Sequence, residues 1–324
     1  MSDLVSVVIP THNRRHLLAQ TLHTVLAQDV DLEVIVVDEA SSDGTAEWLA
    51  GLRDPRVVTI RHDQPRGLAT ARNVGVAASE GDWIAFVDDD DLWLPGKLTA
   101  QLEAARRAGL HWAYGGALHF TSEPILLRVT LPTVADSARL PWVNAVPGGG
   151  SNVVAERGLL EDVGGFDAGL QSAADWDMWI RLWQRGAPAL VPVPVLAYRI
   201  HPGNMSRKVD DMIADLQVLD RRYREDRGGD DLDWEDALRW IGASALRSGD
   251  TAAARRVAFA AMRARHPGSW RRVSRALVPL APRRPVATAD ERHGVLDRLR
   301  PRPVVPWWPG TESWVRETLQ VRAA

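Results

Sequence analysis

The sequence contains no cysteine, which excludes disulfides, thiolate metal sites and cysteine nucleophiles together. It also lacks any apolar run near the roughly 18 to 20 residues that a membrane-spanning helix needs. The chain passes from MSDL straight into VSVVIP, with no basic segment followed by a long apolar stretch, so no secretory signal is expected and the chain reads as cytoplasmic. Charge of either sign is not in excess: 39 basic side chains stand against 42 acidic, a net charge of -3. That balance gives no general attraction for a phosphate backbone and argues against a nucleic-acid partner. No G-x-G-x-x-G follows the first apolar run, which excludes a dinucleotide oxidoreductase.

The feature around which the chain is organised is GDWIAFVDDDDLWLPGK, Gly81 to Lys97. A short apolar run, Trp83 to Val87, empties into four consecutive aspartates, Asp88 to Asp91. Four aligned carboxylates at the end of a buried parallel strand repel one another and raise each other's pKa values, a conflict that a divalent cation beside a polyphosphate resolves. In open α/β sheets, ligands bind in the crevice beyond the carboxyl ends of the strands, where a strand reading WIAFV delivers these acids. Taken alone, DDDD reads equally well as a solvated acidic turn. Its company along the chain favours the first reading.

Leu4 to Pro10 is a continuous β-branched run stopped by proline, as a central parallel strand would be. Thr11 to Arg14 form a polar turn, and Leu17, Leu18, Leu22, Val25 and Leu26 give Arg15 to Gln28 helical spacing. Strands are then expected at Leu32 to Val37, Val57 to Arg61 and Trp83 to Val87. Helices are expected at Thr45 to Leu52, after the turn ASSDGT, and at Gly67 to Ala78, whose alanines and glycine allow close approach to a sheet or ligand. This rhythm predicts an α/β fold with a doubly wound, mostly parallel, Rossmann-like sheet.

Beyond a helix at Leu98 to Ala108 the prolines at 124, 132, 141 and 147 predict an antiparallel or irregular half. It contains a flexible turn at Gly148 to Ser151, a strand-like NVVA, a short helix Arg157 to Val163 and an amphipathic helix Ala174 to Arg185 with acids in its first turn. Val191 to Tyr198 carries two prolines and reads as an edge strand. Asp226 to Asp231 reads as a linker, followed by a helical hairpin, Trp234 to Arg247 and Thr251 to Arg265. The expected division is an α/β domain over 1–225, in two halves that meet at about residue 110, and a helical extension with a proline- and tryptophan-rich tail over 226–324. Within it PRPVVPWWPGTESW, 301–314, is expected to be an extended arm or disordered. Fourteen tryptophans are available for packing, sugar stacking or interfaces.

Six stretches, VSVVIPTHNR, VIVVDEASSDGT, GLATARNVGVAASEGDWIAFVDDDD, GGFD, ADWDMWIRL and YRIHPGNMS, occur in the order of a known family. Over residues 4–206 the chain resembles the inverting nucleotide-sugar glycosyltransferases of family 2, with the fold called GT-A. The resemblance implies that Pro10, Thr11 and Asn13 line the nucleotide pocket and that Asp38 accepts a hydrogen bond from the base or ribose. Arg72 and Asn73 would approach the diphosphate and ribose, the arginine as a planar fork of donors. Asp88 and Asp90 match the family's D-x-D pair. Asp90 and His201 would bind Mg²⁺ or Mn²⁺, while Asp88 and Asp89 would contact the donor and Asp91 would support them. Asp175 matches the family's base position and Asp177 is its rival. Bland alternatives are a surface turn for His201 and simple helix-terminal acids for both aspartates.

The implied donor is a UDP-, GDP- or TDP-linked sugar, and the implied acceptor a glycan, a lipid-linked saccharide or a small molecule. The sequence departs from the family pattern at Glu39, where a second aspartate is usual, and at Ala174, where an acid commonly precedes the base. A nucleotidyltransferase of related fold is disfavoured because THNRRHLL lacks the glycines of its phosphate loop, and a non-catalytic sugar-binding protein because Asp88, Asp90, Asp175 and His201 are intact. Residues 263–302 hold eleven arginines against three acids. Within them Trp270 to Leu280 has an arginine side and an apolar side, the layout of a helix at the anionic inner membrane face or of one packed on the catalytic domain.

Overall fold

A computed structural model describes residues 4–121, 126–201, 209–247, 252, 255–257 and 311–321. The expected segments 251–265 and 270–280 fall largely or wholly outside these residues.

The chain begins with three βα units. Strands β1 (Val5–Thr11), β2 (Leu32–Asp38), β3 (Val57–Arg61) and β4 (Trp83–Phe86) are joined by helices α1 (Arg15–Leu26), α2 (Thr45–Gly51) and α3 (Leu68–Ala77). All pairings among these strands are parallel, in the order β3-β2-β1-β4. β1 is buried along its whole length, which explains its uninterrupted apolar sequence. Alternation sends Val5, Val7 and Ile9 into one core with Leu18, Leu22 and Val25 of α1. On the other face, Ile35 and Val37 pack with Ala71 of α3. A Cβ on Gly75 would stand 2.3 Å from Val8 Cγ1, so the small residues of α3 let this helix lie directly on β1.

The second half extends the same sheet. After β5 (Leu92–Trp93) and α4 (Lys97–Ala108) come β6 (Trp112–Thr121), β7 (Leu126–Thr130), a short α5 (Val134–Ser137), a 3-10 turn Gly149–Asn152, β8 (Val153–Glu156), α6 (Arg157–Asp162), α7 (Ala174–Arg185) and β9 (Ala189–Ile200). The full order is β3-β2-β1-β4-β8-β6-β9-β5, with β7 on β6. β8 runs antiparallel to β4 and β6, while β9 runs parallel to β6. The expected α/β, mostly parallel sheet with an irregular second half is therefore observed.

β9 corrects the expectation of an edge strand, because β5 pairs with it at Leu196 and Ala197. Pro192 and Pro194 fall before that pairing begins, opposite the irregular register at Gly115 and Gly116, where a missing N–H is tolerated.

Three further segments differ from expectation. Helix α8 (Val209–Arg222) was not anticipated, although Val209, Met212, Leu216 and Leu219, all buried, carry helical spacing. Asp226 to Asp231 is no free linker: Glu225–Arg227 forms a 3-10 turn, and buried Arg227 bonds Asp220 (2.8 Å) and the Pro141 carbonyl (3.2 Å). Within the tail, Thr311–Thr318 forms helix α10, and the Leu319 carbonyl accepts from Gln20 of α1 at 3.0 Å.

Among the described residues, 4–201, 211–232 and 311–321 make one compact unit; 209–210 and the residues from 233 to 257 belong to a second. In the second, α9 (Trp234–Arg247) sets Gly242 against buried Val257.

Candidate active site

The acid turn leaves β4 at the carboxyl edge of the sheet, and its four aspartates have four different surroundings. Asp88 is the most open, with a side chain 31% exposed, and accepts from Arg72 Nη2 at 2.6 Å. Asp89 is buried and accepts from Thr11 Oγ1 (2.7 Å) and Arg14 Nη1 (2.9 Å). Asp90 meets Arg14 Nη1 (2.7 Å) and His201 Nε2 (2.8 Å), both through Oδ2. Asp91 is fully buried, taking a hydrogen bond from Ser151 Oγ (2.6 Å) and another from the Arg199 N–H (2.8 Å).

Burial, then the neighbouring carboxylates, pushes the Asp89 and Asp91 carboxyls well above the ordinary range. Arg14 and Thr11 work the other way on Asp89, and Ser151 and the Arg199 N–H on Asp91. Burial opposes the charge on Arg14, but Asp89, Asp90 and Asp88 outweigh it and raise its pKa.

Ser151 ties this turn to the glycine-rich segment: it also accepts from the Asp88 N–H (3.0 Å), and its carbonyl accepts from Trp93 Nε1 (2.9 Å). Beside it the glycines are needed for space. A Cβ on Gly150 would stand 2.2 Å from Arg72 Nη2, and one on Gly149 2.9 Å from Asp175 Oδ2. Arg72 and Asp175 thus flank one turn of bare backbone, next to Asp88.

Arg72 is 2% exposed, with its guanidinium 5.2 Å from the centre of the Phe166 ring. Asn73 fixes that ring by donating to the Phe166 carbonyl (2.8 Å) and accepting from its N–H (2.7 Å). The Asn73 amide is engaged there, in the GGFD stretch, rather than presented to the crevice.

The two aspartates of α7 part company. Asp177 is fully buried and has four bonds: Arg181 Nε (2.9 Å) and Nη2 (2.6 Å), Arg222 Nη1 (2.6 Å) and Tyr223 Oη (2.7 Å). Asp175 is half-buried and accepts from the Trp176 N–H at 2.8 Å. Burial raises its pKa; Arg72 and the Trp176 N–H pull against this, and Asp88 adds to it. The start of α7 has no cap of its own, and Asp215 of α8 supplies one, accepting from the N–H groups of Ser172 (2.6 Å) and Ala173 (3.0 Å).

The other flank of the site is built from the loops after β1 and β2. Pro10 is buried within β1, opposite Val37. Asn13, at φ 54°, donates its N–H to Ser41 Oγ (2.9 Å) and accepts from the Ser42 N–H (2.7 Å). Ala40 sits at φ 57°, a left-handed conformation costing an alanine about 1–2 kcal/mol. Asp38 is buried, accepting from the Ser41 N–H (2.9 Å) and pairing with Arg61. Glu39 faces away from this loop pair: it meets His62 and accepts from the N–H groups of Arg66 (2.6 Å) and Gly67 (2.7 Å). Its extra methylene, relative to aspartate, serves the approach to α3.

Arg14, Ser151, Tyr198 and Arg199 join the site without having been singled out in the sequence. The Tyr198 phenol is held protonated by burial, then by Asp91, Asp90, Asp88 and Asp175, and its ring lies edge-on to His119 at 5.4 Å. Placement at the end of β9, three and two residues before His201, was the signal for the last two.

The donor chemistry at Asp90 and His201, a carboxylate and an imidazole, fits a hard divalent cation. Among the described residues no three His, Asp or Glu side chains already surround one point, so a cation there would draw further oxygens from a bound ligand.

A parallel βα half feeding an acid turn into a crevice is the GT-A glycosyltransferase fold. The mannosyltransferase PcManGT from Pyrobaculum calidifontis, solved with GDP-Man and Mn²⁺, shares it with a TM-score of 0.51 at 20% identity, covering 83% of each chain. Residues 6–144 match the model of Glycosyl transferase family 2. The succinoglycan biosynthesis protein ExoO of Rhizobium meliloti (strain 1021) is 33% identical over 242 residues, covering 68% of this chain and 69% of that protein. The UDP-Glc:alpha-D-GlcNAc-diphosphoundecaprenol beta-1,3-glucosyltransferase WfaP of Escherichia coli is 25% identical over 222 residues, covering 67% and 86%. The chain belongs to glycosyl transferase family 2 and is a glycosyltransferase.

Proposed function

We propose that this glycosyltransferase moves a sugar from a nucleoside-diphosphate donor to a hydroxyl acceptor, with inversion at the anomeric carbon and with Mg²⁺ or Mn²⁺ bound at Asp90 and His201. The observation that carries the reading is the convergence of Arg72, Asp88 and Asp175 around the bare backbone of Gly149 and Gly150.

Pro10, Thr11, Asn13 and Asp38 form the base and ribose side, with Asp88 and Asp89 toward the ribose and diphosphate. Thr11 and Arg14 orient Asp89, and Asn73 acts through Phe166, which backs Arg72. Asp175 takes the proton from the acceptor hydroxyl as its oxygen attacks the anomeric carbon. The bond from that carbon to the diphosphate breaks on the opposite face, which inverts the configuration. Negative charge gathers on the leaving diphosphate, and Arg72, already desolvated, stabilises it as it develops. A divalent cation held by Asp90 and His201 would supply further positive charge for the leaving diphosphate. Asp177 is excluded as the base because all its acceptor capacity is engaged in four bonds.

WfaP is named for a diphosphoundecaprenol-linked acceptor and ExoO for succinoglycan synthesis; these names favour a lipid-linked saccharide acceptor at the inner membrane face for this chain too. Among the described residues no helix is long and apolar enough to cross a membrane. The division into a catalytic domain to about 225 and an extension beyond it is part of the same proposal. The test is release of UDP, GDP or TDP from a panel of nucleotide sugars with an undecaprenyl-diphosphate saccharide, with Mn²⁺ and with EDTA. Release that depends on both acceptor and metal is expected; equal rates in EDTA would remove the metal from the reading.

A further inference from the structure

Asp90 and His201 are the two side chains assigned above to the divalent cation, and Asp90 already has a further partner. Arg14 Nη1 lies 2.7 Å from Asp90 Oδ2, the same oxygen that His201 Nε2 meets at 2.8 Å. The same guanidinium nitrogen reaches Asp89 Oδ1 at 2.9 Å. A metal ligated by that carboxylate oxygen would sit close to it, about 2.0–2.1 Å away for Mg²⁺. It would then lie against the guanidinium, where like charges repel strongly in a site this dry. Arg14 and the metal therefore compete for one oxygen.

Arg14 is able to yield. Its side chain is 26% exposed, against 7% for Asp90, so it borders solvent while the acid does not. It follows Asn13 in the loop that builds the nucleotide side, so a diphosphate bound in the crevice would be within its sweep. A diphosphate offers it a planar, multiply charged acceptor of the kind that guanidinium groups grip with two bonds.

We propose that Arg14 is a displaceable internal cation: it holds Asp90 before the metal binds and passes to the donor's diphosphate when metal and nucleotide sugar bind together. This rests on the reading of Asp90 and His201 as metal ligands. Metal alone must first expel Arg14, and its apparent affinity is reduced by that exchange. Donor alone meets Arg14 already committed. The two ligands together satisfy all charges, so each tightens the other, and the coupling is reciprocal. Arg14 is thus a positioning residue that makes metal and donor arrive as one.

The test is a Mn²⁺ titration followed by the electron paramagnetic resonance of free Mn²⁺, on full-length wild type, Arg14→Gln, Arg14→Met and Asp90→Asn, each with and without UDP, GDP and TDP. Circular dichroism checks that each variant is folded. Both Arg14 variants should bind Mn²⁺ alone roughly fivefold to a hundredfold more tightly than wild type, the usual range for coupling between ligands. The tightening that nucleotide produces in wild type should shrink in them by a similar factor. Donor-free Mn²⁺ binding no tighter in either Arg14 variant, with Asp90→Asn abolishing it, would overturn the competition and leave the metal site standing. Tighter Mn²⁺ binding with undiminished nucleotide coupling would overturn the passage of Arg14 to the diphosphate. No Mn²⁺ binding by any form, with or without nucleotide, would remove the metal reading and this inference together.

Discussion

The acid turn after β4 and the first turn of α7 each present neighbouring aspartates, and the two regions divide their acids in the same way. In each, one carboxylate is buried under several fixed donors while another stands half open on the crevice. Asp91 and Asp177 are fully buried, bonded to Ser151 and Arg199 in one case and to Arg181, Arg222 and Tyr223 in the other. Asp88 stays partly exposed and bonded to Arg72, and Asp175 is half-buried beside Gly149. What separates a structural acid from an available one is the number of donors aimed at it, and those donors come from distant parts of the chain.

The largest effect on folding should come from breaking the Asp177 cluster. Asp177→Ala takes the shared acceptor from Arg181, Arg222 and Tyr223 and is expected to cost about 1–3 kcal/mol, the scale for donors left unsatisfied, since both arginines keep some exposure and Arg222 keeps Asp167. Urea unfolding measures it, and a loss below about 1 kcal/mol would erase the contrast with Asp175.

A smaller structural but sharp functional effect is expected at the glycine turn. Gly150→Ala puts a Cβ where Arg72 Nη2 stands; the flexible end of the arginine gives way and the bond to Asp88 breaks. Transfer should fall by about a hundredfold, the scale for one misplaced charge-stabilising donor, with a melting temperature close to wild type. An active variant would show that Arg72 is not held for the reaction.

The smallest expected effect is a gain. The Asp175 pKa is raised in the fold, so the fold disfavours its charged form, and stability is lost as pH rises through the folded value. Asp175→Asn carries no such charge and should melt above wild type at neutral pH, the gap closing as pH falls below the ordinary carboxylate range. A gap that widens on acidification would mean that Arg72 dominates and the sign is reversed. For the rate, a raised pKa places the acid limb of transfer above the ordinary carboxylate range, because the base works deprotonated.

The βα half was legible because each signal was local. Uninterrupted apolar runs gave the buried strands, and DDDD after WIAFV placed the acid turn. The distinction between Asp175 and Asp177 was not legible, since both occupy the first turn of one helix and their difference lies in Arg222 and Tyr223, more than forty residues on. Arg14 read as part of a polar turn for the same reason: its partners, Asp89 and Asp90, are 75 and 76 residues away. Asn73 sits within a family-like stretch, yet its amide is engaged by the backbone of Phe166, a contact no local spacing encodes. Helix α8 did carry a periodic signal, and its role in capping α7 through Asp215 became visible only with both helices in place.

The most direct test of the account measures donor binding and transfer together in Asp175→Asn, with Asp177→Asn beside it, once the donor nucleotide is known. Asp175→Asn should bind nucleotide sugar as wild type does and lose transfer by about a hundredfold or more, the scale of a missing general base, while any folded Asp177→Asn retains transfer. Near-normal transfer by Asp175→Asn, or a folded but inactive Asp177→Asn, would contradict the assignment of Asp175 as the base.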